Sequence, residues 1–179
     1  MKKLKIIIVA VAALLLSAVG GRAAGEKYDS HYIVVDKGAF TLSLYSKDGV
    51  MMKTWPVATD INPGRKRRTG DCKTPEGKFK VTWVQNTKGV MYDYHDGVGK
   101  VEAYGPWFIH LETPGFKAIG IHGTCPERDS RIGTRDSKGC VRLHNEDLLE
   151  LLPYVGKGMS VTVIPGKEDL EADADLLAK

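Results

Sequence analysis

The chain has 179 residues, 42% of them hydrophobic, with 26 Lys and Arg against 22 Asp and Glu. That length and composition suit one domain with an ordinary core and exclude disordered and fibrous classes. The formal charge of +4 is carried by the first residues: removing 1–23 takes away Lys2, Lys3, Lys5 and Arg22 and no acid, so 26 basic residues less these four leave 22 against 22, which gives no footing for nucleic-acid binding by charge.

Residues 1–23 read as a secretory signal. Three lysines precede an apolar run from 6 to 19 and a small-residue segment, GGRAAG, with cleavage expected after Ala23. The run is short of the roughly twenty residues a spanning helix needs. An uncleaved N-terminal anchor is the competing reading, because Arg22 is awkward beside a processing site, and membrane attachment enters only through it. Either way the domain is expected to work in the periplasm or cell envelope. Three cysteines, Cys72, Cys125 and Cys140, are an odd number for an exported chain, so at least one thiol lies outside an intramolecular disulfide.

After a polar lead-in at 24–30, strands are expected at 32–35, 41–45 and 50–58, with hairpin turns at Lys37-Gly38 and Lys47-Asp48-Gly49. Phe40, Leu42 and Leu44 alternate with Thr41, Ser43 and Tyr45, the pattern of a sheet with one buried face. Residues 60–77, with two prolines and the basic cluster Arg65, Lys66, Arg67 and Arg68, form a long aperiodic loop. It is either a functional loop meeting substrate carboxylates or a solvated surface. A strand follows at 78–85. Residues 86–104, with Gly89, Gly97, Gly99 and the group Met91, Tyr92 and Tyr94, read as a lid over a cleft or as a surface hairpin.

Strands at 107–111 and 118–121 flank the turn Thr113-Pro114-Gly115. Asn145 is placed as the cap of a short helix through residue 152, with Glu146 and Asp147 in its first turn. A closing strand runs over 158–164, and 166–179 is an acidic tail with little to pack against. Many short strands and one convincing helix predict a mainly β single domain.

The chemistry concentrates at 119–145. A cysteine is mostly thiol at neutral pH, so a nucleophilic one needs a base or a cation beside it. His122 closes the apolar strand IGIH, and Gly123 lets the backbone turn away. Gly139 permits close approach of a substrate carbonyl to N–H groups near Cys140. Arg142 shares a strand face with Cys140 if the segment is extended, where it binds a carboxylate, supports the oxyanion, or closes a structural salt bridge. Ser137 and Gly123 are candidates for orienting roles, the Gly123 carbonyl by accepting the second imidazole N–H. A small buried cysteine is the competing reading of Cys140.

These residues also resemble a known family. Ile121-His122-Gly123-Thr124, the segment from 123 to 136, and Ser137-Lys138-Gly139-Cys140-Val141-Arg142-Leu143 are similar to the signature of the L,D-transpeptidases, the YkuD-type catalytic domain. Lys73-Thr74-Pro75-Glu76-Gly77 resembles that family's T-P-x-G turn, and the closing strand from Gly158 through Val161 fits as well. The resemblance implies a single β-sandwich or barrel-like catalytic domain over 31–165 with one or two short helices. It implies Cys140 as nucleophile and His122 as base, acting on peptidoglycan stem peptides as donor and acceptor, with release of terminal D-alanine, no metal or organic cofactor, and a monomer.

Lys138 stands where the family commonly has a second histidine. Its charge could act on the thiol, contact a substrate carboxylate, or face solvent. The rivals are an L,D-carboxypeptidase using water as acceptor and a non-catalytic wall-binding domain. A zinc set of His122, Cys125, Cys140 and His144 is a weaker reading, since Arg142 and Lys138 would crowd a cation. Cys72 and Cys125 are read either as a disulfide or as two unpaired residues. His31, His95, His110 and His144 are read as structural or surface groups.

Overall fold

A computed structural model describes residues 30–178; the expected signal segment lies outside them. The strands are β1 (His31–Asp36), β2 (Thr41–Ser46), β3 (Met51–Pro56), β4 (Thr59–Asp60), β5 (Gly77–Asn86), β6 (Tyr92–Asp93), β7 (Lys100–Val101), β8 (Trp107–Leu111), β9 (Gly120–His122), β10 (Arg135–Ser137), β11 (Val141–Arg142) and β12 (Ser160–Ile164). The helices are α1 (Pro126–Asp129), α2 (Asn145–Leu151), continued by a 3-10 turn over Leu152–Tyr154, and α3 (Lys167–Leu177). The mainly β expectation holds, in a curled half-barrel sheet with three helices among the described residues.

Eight strands form one sheet in the order β11-β9-β8-β5-β12-β1-β2-β3. β12 enters between β5 and β1, parallel to β1, so the end of the chain closes the middle of the sheet. The expected strand at 50–58 is broken: β3 ends at Pro56, and Ala58 bridges to Arg142 instead. Leu42 and Leu44 point inward as their alternation predicts, whereas Phe40 precedes the strand at a positive φ of 52°.

Alternation gives the half of the sheet that carries the site two distinct faces. Val84, Ile109, Leu111, Ile121, Val141 and Leu143 pack into the main core with α2 residues Leu148 and Leu151. Each such aliphatic side chain contributes about 1.5–3 kcal/mol when fully buried. The other face carries Phe108, His110, His122 and Arg142, which pair across strands as Phe108 with His122, His110 with Gly120, and Arg142 with His122. The core therefore anchors every strand whose opposite face holds a candidate functional group.

The 166–179 segment departs from the expectation of an unpacked tail, because α3 docks through ionic contacts rather than apolar ones. Asp169 is fully buried and meets Lys37 Nζ at 3.0 Å. Lys37 is itself fully buried and also bonds Asp60 and Glu76, each at 2.8 Å. Burial works against its charge, but these carboxylates outweigh that cost and raise its pKa.

Candidate active site

β9 and β11 run parallel, Val141 beside Ile121 and Arg142 beside His122. One step earlier Cys140 stands beside the start of β9, and its thiol donates to Ala118 O at 3.5 Å. Cys140, His122 and Arg142 line one cavity of about 350 Å³. Both long loops form its walls. Lys66, Thr69 and Gly70 come from the 60–77 segment, and Tyr92, Tyr94 and Tyr104 from the 86–104 segment. The choice between the two loops resolves into a cleft with a basic wall and an aromatic one.

His122 is 4% exposed, and its Nδ1 lies 2.7 Å from Gly123 O. A carbonyl only accepts, so Nδ1 carries the proton and Nε2 is the basic nitrogen. Phe108 stacks on the imidazole at 5.3 Å between ring centroids, and Tyr104 meets it edge-on at 5.1 Å. Burial pushes the His122 pKa down to about 3; the Gly123 carbonyl opposes this and the Arg142 charge adds to it.

Phe108 fits there because Gly120 lacks a side chain: a Cβ on Gly120 would lie 2.1 Å from the Phe108 ring. The turn after His122 is equally tight, with a Gly123 Cβ position 2.2 Å from Asn145 Oδ1. Asn145 accepts from Thr124 N at 2.9 Å and donates to Thr124 O at 3.0 Å. This corrects its reading as a helix cap: His144 occupies the cap position, and the Asn145 amide clamps the His122 turn instead.

Burial pushes the Cys140 thiol up to about 11, against the Gly120 N–H and the charges of Lys66 and Arg142. Both shifts run toward the neutral forms, thiol and imidazole. Ser137 Oγ accepts from Gly139 N at 3.1 Å and donates to Cys140 O, so it shapes the nucleophile's backbone. The Gly139 N–H is engaged there rather than directed at an oxyanion. Gly139 has a φ of 131°, and its Cβ position is 2.9 Å from Lys73 O, two reasons for glycine.

Arg142 is 1% exposed and ion-paired with Asp136, which also receives Arg128 at 3.2 Å and Arg131 at 3.1 Å. Its structural salt-bridge reading is the one the geometry realises, although it still borders the cleft and its Nε is buried without a hydrogen-bond partner. Lys138 turns to the aromatic wall. Its Nζ lies 5.6 and 5.5 Å from the Tyr92 and Tyr94 ring centres and 3.5 Å from Tyr94 O. The lysine whose charge bears on the thiol is Lys66, a member of the 65–68 basic cluster.

The three cysteines are free. Cys125 packs with Val101 and Ala103 beneath Tyr92 and Tyr94, while Cys72 sits in the 60–77 loop at a φ of 55°. The disulfide reading gives way to two unpaired residues. His144 bonds Asp129 at 2.7 Å, His110 bonds Gln85 at 2.8 Å, and neither lines the cavity.

The model of the L,D-transpeptidase catalytic domain, YkuD, matches residues 30–163. The chain is 33% identical over 133 residues to "Putative L,D-transpeptidase YkuD" of Bacillus subtilis (strain 168), covering 74% of this chain and 65% of that protein. It thus spans less than two thirds of that relative's length. Among solved structures it resembles an L,D-transpeptidase from Mycobacterium smegmatis, with a TM-score of 0.55, 18% identity, and coverage of 75% of this chain and 58% of that one. L,D-transpeptidase 3 from Mycobacterium tuberculosis, solved with a faropenem-derived adduct, gives a TM-score of 0.56 at 18% identity, covering 75% and 60%. At that identity the structures speak to the fold alone, and the family rests on the sequence matches. The chain belongs to the L,D-transpeptidase catalytic-domain family.

Proposed function

We propose that this chain is an exported cysteine L,D-transpeptidase that transfers peptidoglycan stem peptides through an acyl group on Cys140. The observation that carries this reading is the Nδ1–H of His122 bonded to Gly123 O at 2.7 Å, which leaves a basic Nε2 in the cavity shared with the thiol. Because burial keeps both groups neutral, attack and proton transfer occur together: Nε2 takes the thiol proton as sulfur bonds to the scissile carbonyl carbon. When the C–N bond breaks, His122 returns that proton to the departing amine of terminal D-alanine. An acceptor amine then attacks the thioester carbon and loses its proton to His122; the C–S bond breaks as the new C–N bond forms, and His122 returns the proton to sulfur, restoring the thiol.

The cavity wall supports a stem-peptide substrate. Among the described residues its lining includes four cations, Lys66, Lys117, Lys138 and Arg142, and no carboxylate; Lys66 and Arg142 are paired with Asp71 and Asp136 behind the wall, and the two remaining lysines suit an anionic peptide. Export rests on the 1–23 segment.

A carbapenem incubated with the purified protein should add its mass at Cys140 and not to Cys140→Ala. With a stem tetrapeptide and an amine acceptor, released D-alanine and a cross-linked product are expected. Trimmed tripeptide alone would reject transpeptidation in favour of hydrolysis, and unchanged turnover by a folded Cys140→Ala variant would reject the cysteine mechanism.

A further inference from the structure

Lys66 is a buried cation of the cavity wall that a fixed loop presents toward the nucleophile's own backbone. It is 6% exposed, and its Nζ lies 3.7 Å from the Cβ position of Gly139, the residue before Cys140. Arg142 stands on β11 and pairs with Asp136, as Lys66 pairs with Asp71, whereas Lys138 lies against the tyrosine wall and Lys117 is exposed.

The loop beneath Lys66 is pinned from both sides. From behind, α3 accepts Gly64 N on Asp169 at 2.8 Å and Arg65 N on Asp173 at 3.1 Å. From within, Asp71 accepts Arg67 N at 2.8 Å, Arg68 N at 3.0 Å and Lys73 N at 3.2 Å, and holds Lys66 Nζ at 2.6 Å. An ammonium has three donors, and Asp71 is its one hydrogen-bond acceptor among the described residues. Its second visible neighbour is the face of Phe116, 5.4 Å from Nζ. Donor capacity is therefore left over at a preorganised position beside the thiol.

In the proposed reaction one substrate group must come close to this point. The leaving residue carries a free α-carboxylate three bonds from the scissile carbonyl carbon, within about 4 Å by ordinary backbone lengths. When that carbon meets the sulfur of Cys140, the carboxylate lies within reach of the backbone at Gly139. From this we infer that Lys66 is a specificity-determining residue that binds the terminal carboxylate of the leaving amino acid, so that the enzyme acts at the last peptide bond of a stem. The inference rests on the reading of the chain as an L,D-transpeptidase. The carboxylate joins Asp71 on the ammonium without displacing it, and a peptide continuing past the leaving residue has no charge to offer there.

The test compares two substrates on the purified protein: a stem tetrapeptide with a free C-terminus and the same peptide as its C-terminal primary amide. Release of D-alanine or D-alaninamide is followed by mass. A charge-assisted hydrogen bond in a shielded site supports an acid-over-amide preference in kcat/KM of about 10- to 100-fold. In Lys66→Met the preference should fall to within about threefold, mainly through KM for the acid, and Lys66→Arg should restore part of it. Equal turnover of acid and amide by the wild-type protein overturns the inference whatever the variants do. Full discrimination in a folded Lys66→Met overturns it as well. If the wild-type protein turns over neither peptide, the transpeptidase reading fails and takes the inference with it; turnover without discrimination removes the inference alone.

Discussion

His122 donates its Nδ1 proton to the carbonyl of the next residue, Gly123, across 2.7 Å. The acceptor belongs to the backbone, so the base is oriented by the turn that follows it rather than by a carboxylate partner. A neutral acceptor stabilises imidazolium less than a carboxylate would, and with Phe108 and Tyr104 excluding water the ring stays uncharged. Nitrogen-detected NMR of selectively labelled protein should show His122 as the Nδ1–H tautomer throughout pH 5–8, with no titration near 6.5. Half-protonation of His122 within that interval would contradict the burial argument.

The same burial sets the thiol. With its pKa raised to about 11, Cys140 holds little thiolate at neutral pH, and direct alkylation follows the thiolate fraction. Below that pKa, each added pH unit multiplies the thiolate by about ten. Alkylation by iodoacetamide, read at the Cys140 peptide by mass, should therefore rise about tenfold per unit over pH 7–9. A rate already flat above pH 7 would mean that a thiolate–imidazolium pair exists at rest. Substrate turnover should depend far less on pH over that range, because His122 is unprotonated throughout it and removes the proton during attack.

The turn after His122 is held by one side chain and has no spare volume. Gly123→Ala would put its Cβ 2.2 Å from Asn145 Oδ1, forcing the amide off Thr124 and shifting the carbonyl that orients His122. We expect a loss in kcat of about 100-fold, in line with the sensitivity of catalysis to small misplacements. Asn145→Ala leaves the Thr124 N–H and carbonyl without their clamp and should lower stability by about 2 kcal/mol. Kinetics with the stem tetrapeptide and thermal unfolding check the pair. A Gly123→Ala enzyme with wild-type kcat would show that the turn adapts.

What the sequence carried plainly was local. Alternation at Leu42 and Leu44 named a buried face, the motifs around His122 and Cys140 carried the family resemblance, and Gly123 was a candidate acceptor that the structure places 2.7 Å from His122 Nδ1. Long-range partners were not legible. Lys66 looks like any member of a basic surface run until Asp169 and Asp173, a hundred residues later in the chain, are seen to fix its loop. Asn145 preceded a helix-forming stretch, where capping is the common role for its type, and only the fold brings Thr124 to its amide. Odd cysteine arithmetic constrains pairing by parity and says nothing of distance, so it left Cys72 and Cys125 open until the fold separated them. The acidic tail read as solvated because its partner, Lys37, sits in the turn after the first strand.

That last contact carries a prediction about stability and its pH dependence. Asp169 is fully buried, and its burial raises the carboxyl's pKa; the N–H groups of Gly64 and Gly166 and the charge of Lys37 outweigh this and leave it below the ordinary 3.8. A carboxyl whose folded pKa is depressed stabilises the fold above its unfolded pKa and loses that contribution as pH falls through the folded one. Asp169→Asn keeps the shape and removes the charge, leaving Lys37 with Asp60 and Glu76. At pH 7 the variant should be less stable by about 2 kcal/mol, the scale of a hydrogen bond to a charged group, or about 4–8 °C in Tm for a domain of this size. The gap should narrow as pH drops below 3.8, because the wild-type carboxyl is then progressively neutral and resembles the amide. Thermal unfolding of both proteins between pH 3 and 7 measures it. A gap that stays constant over the whole range would mean that α3 is held by packing rather than by charge, and the anchoring of the Lys66 loop through Asp169 would have to be abandoned.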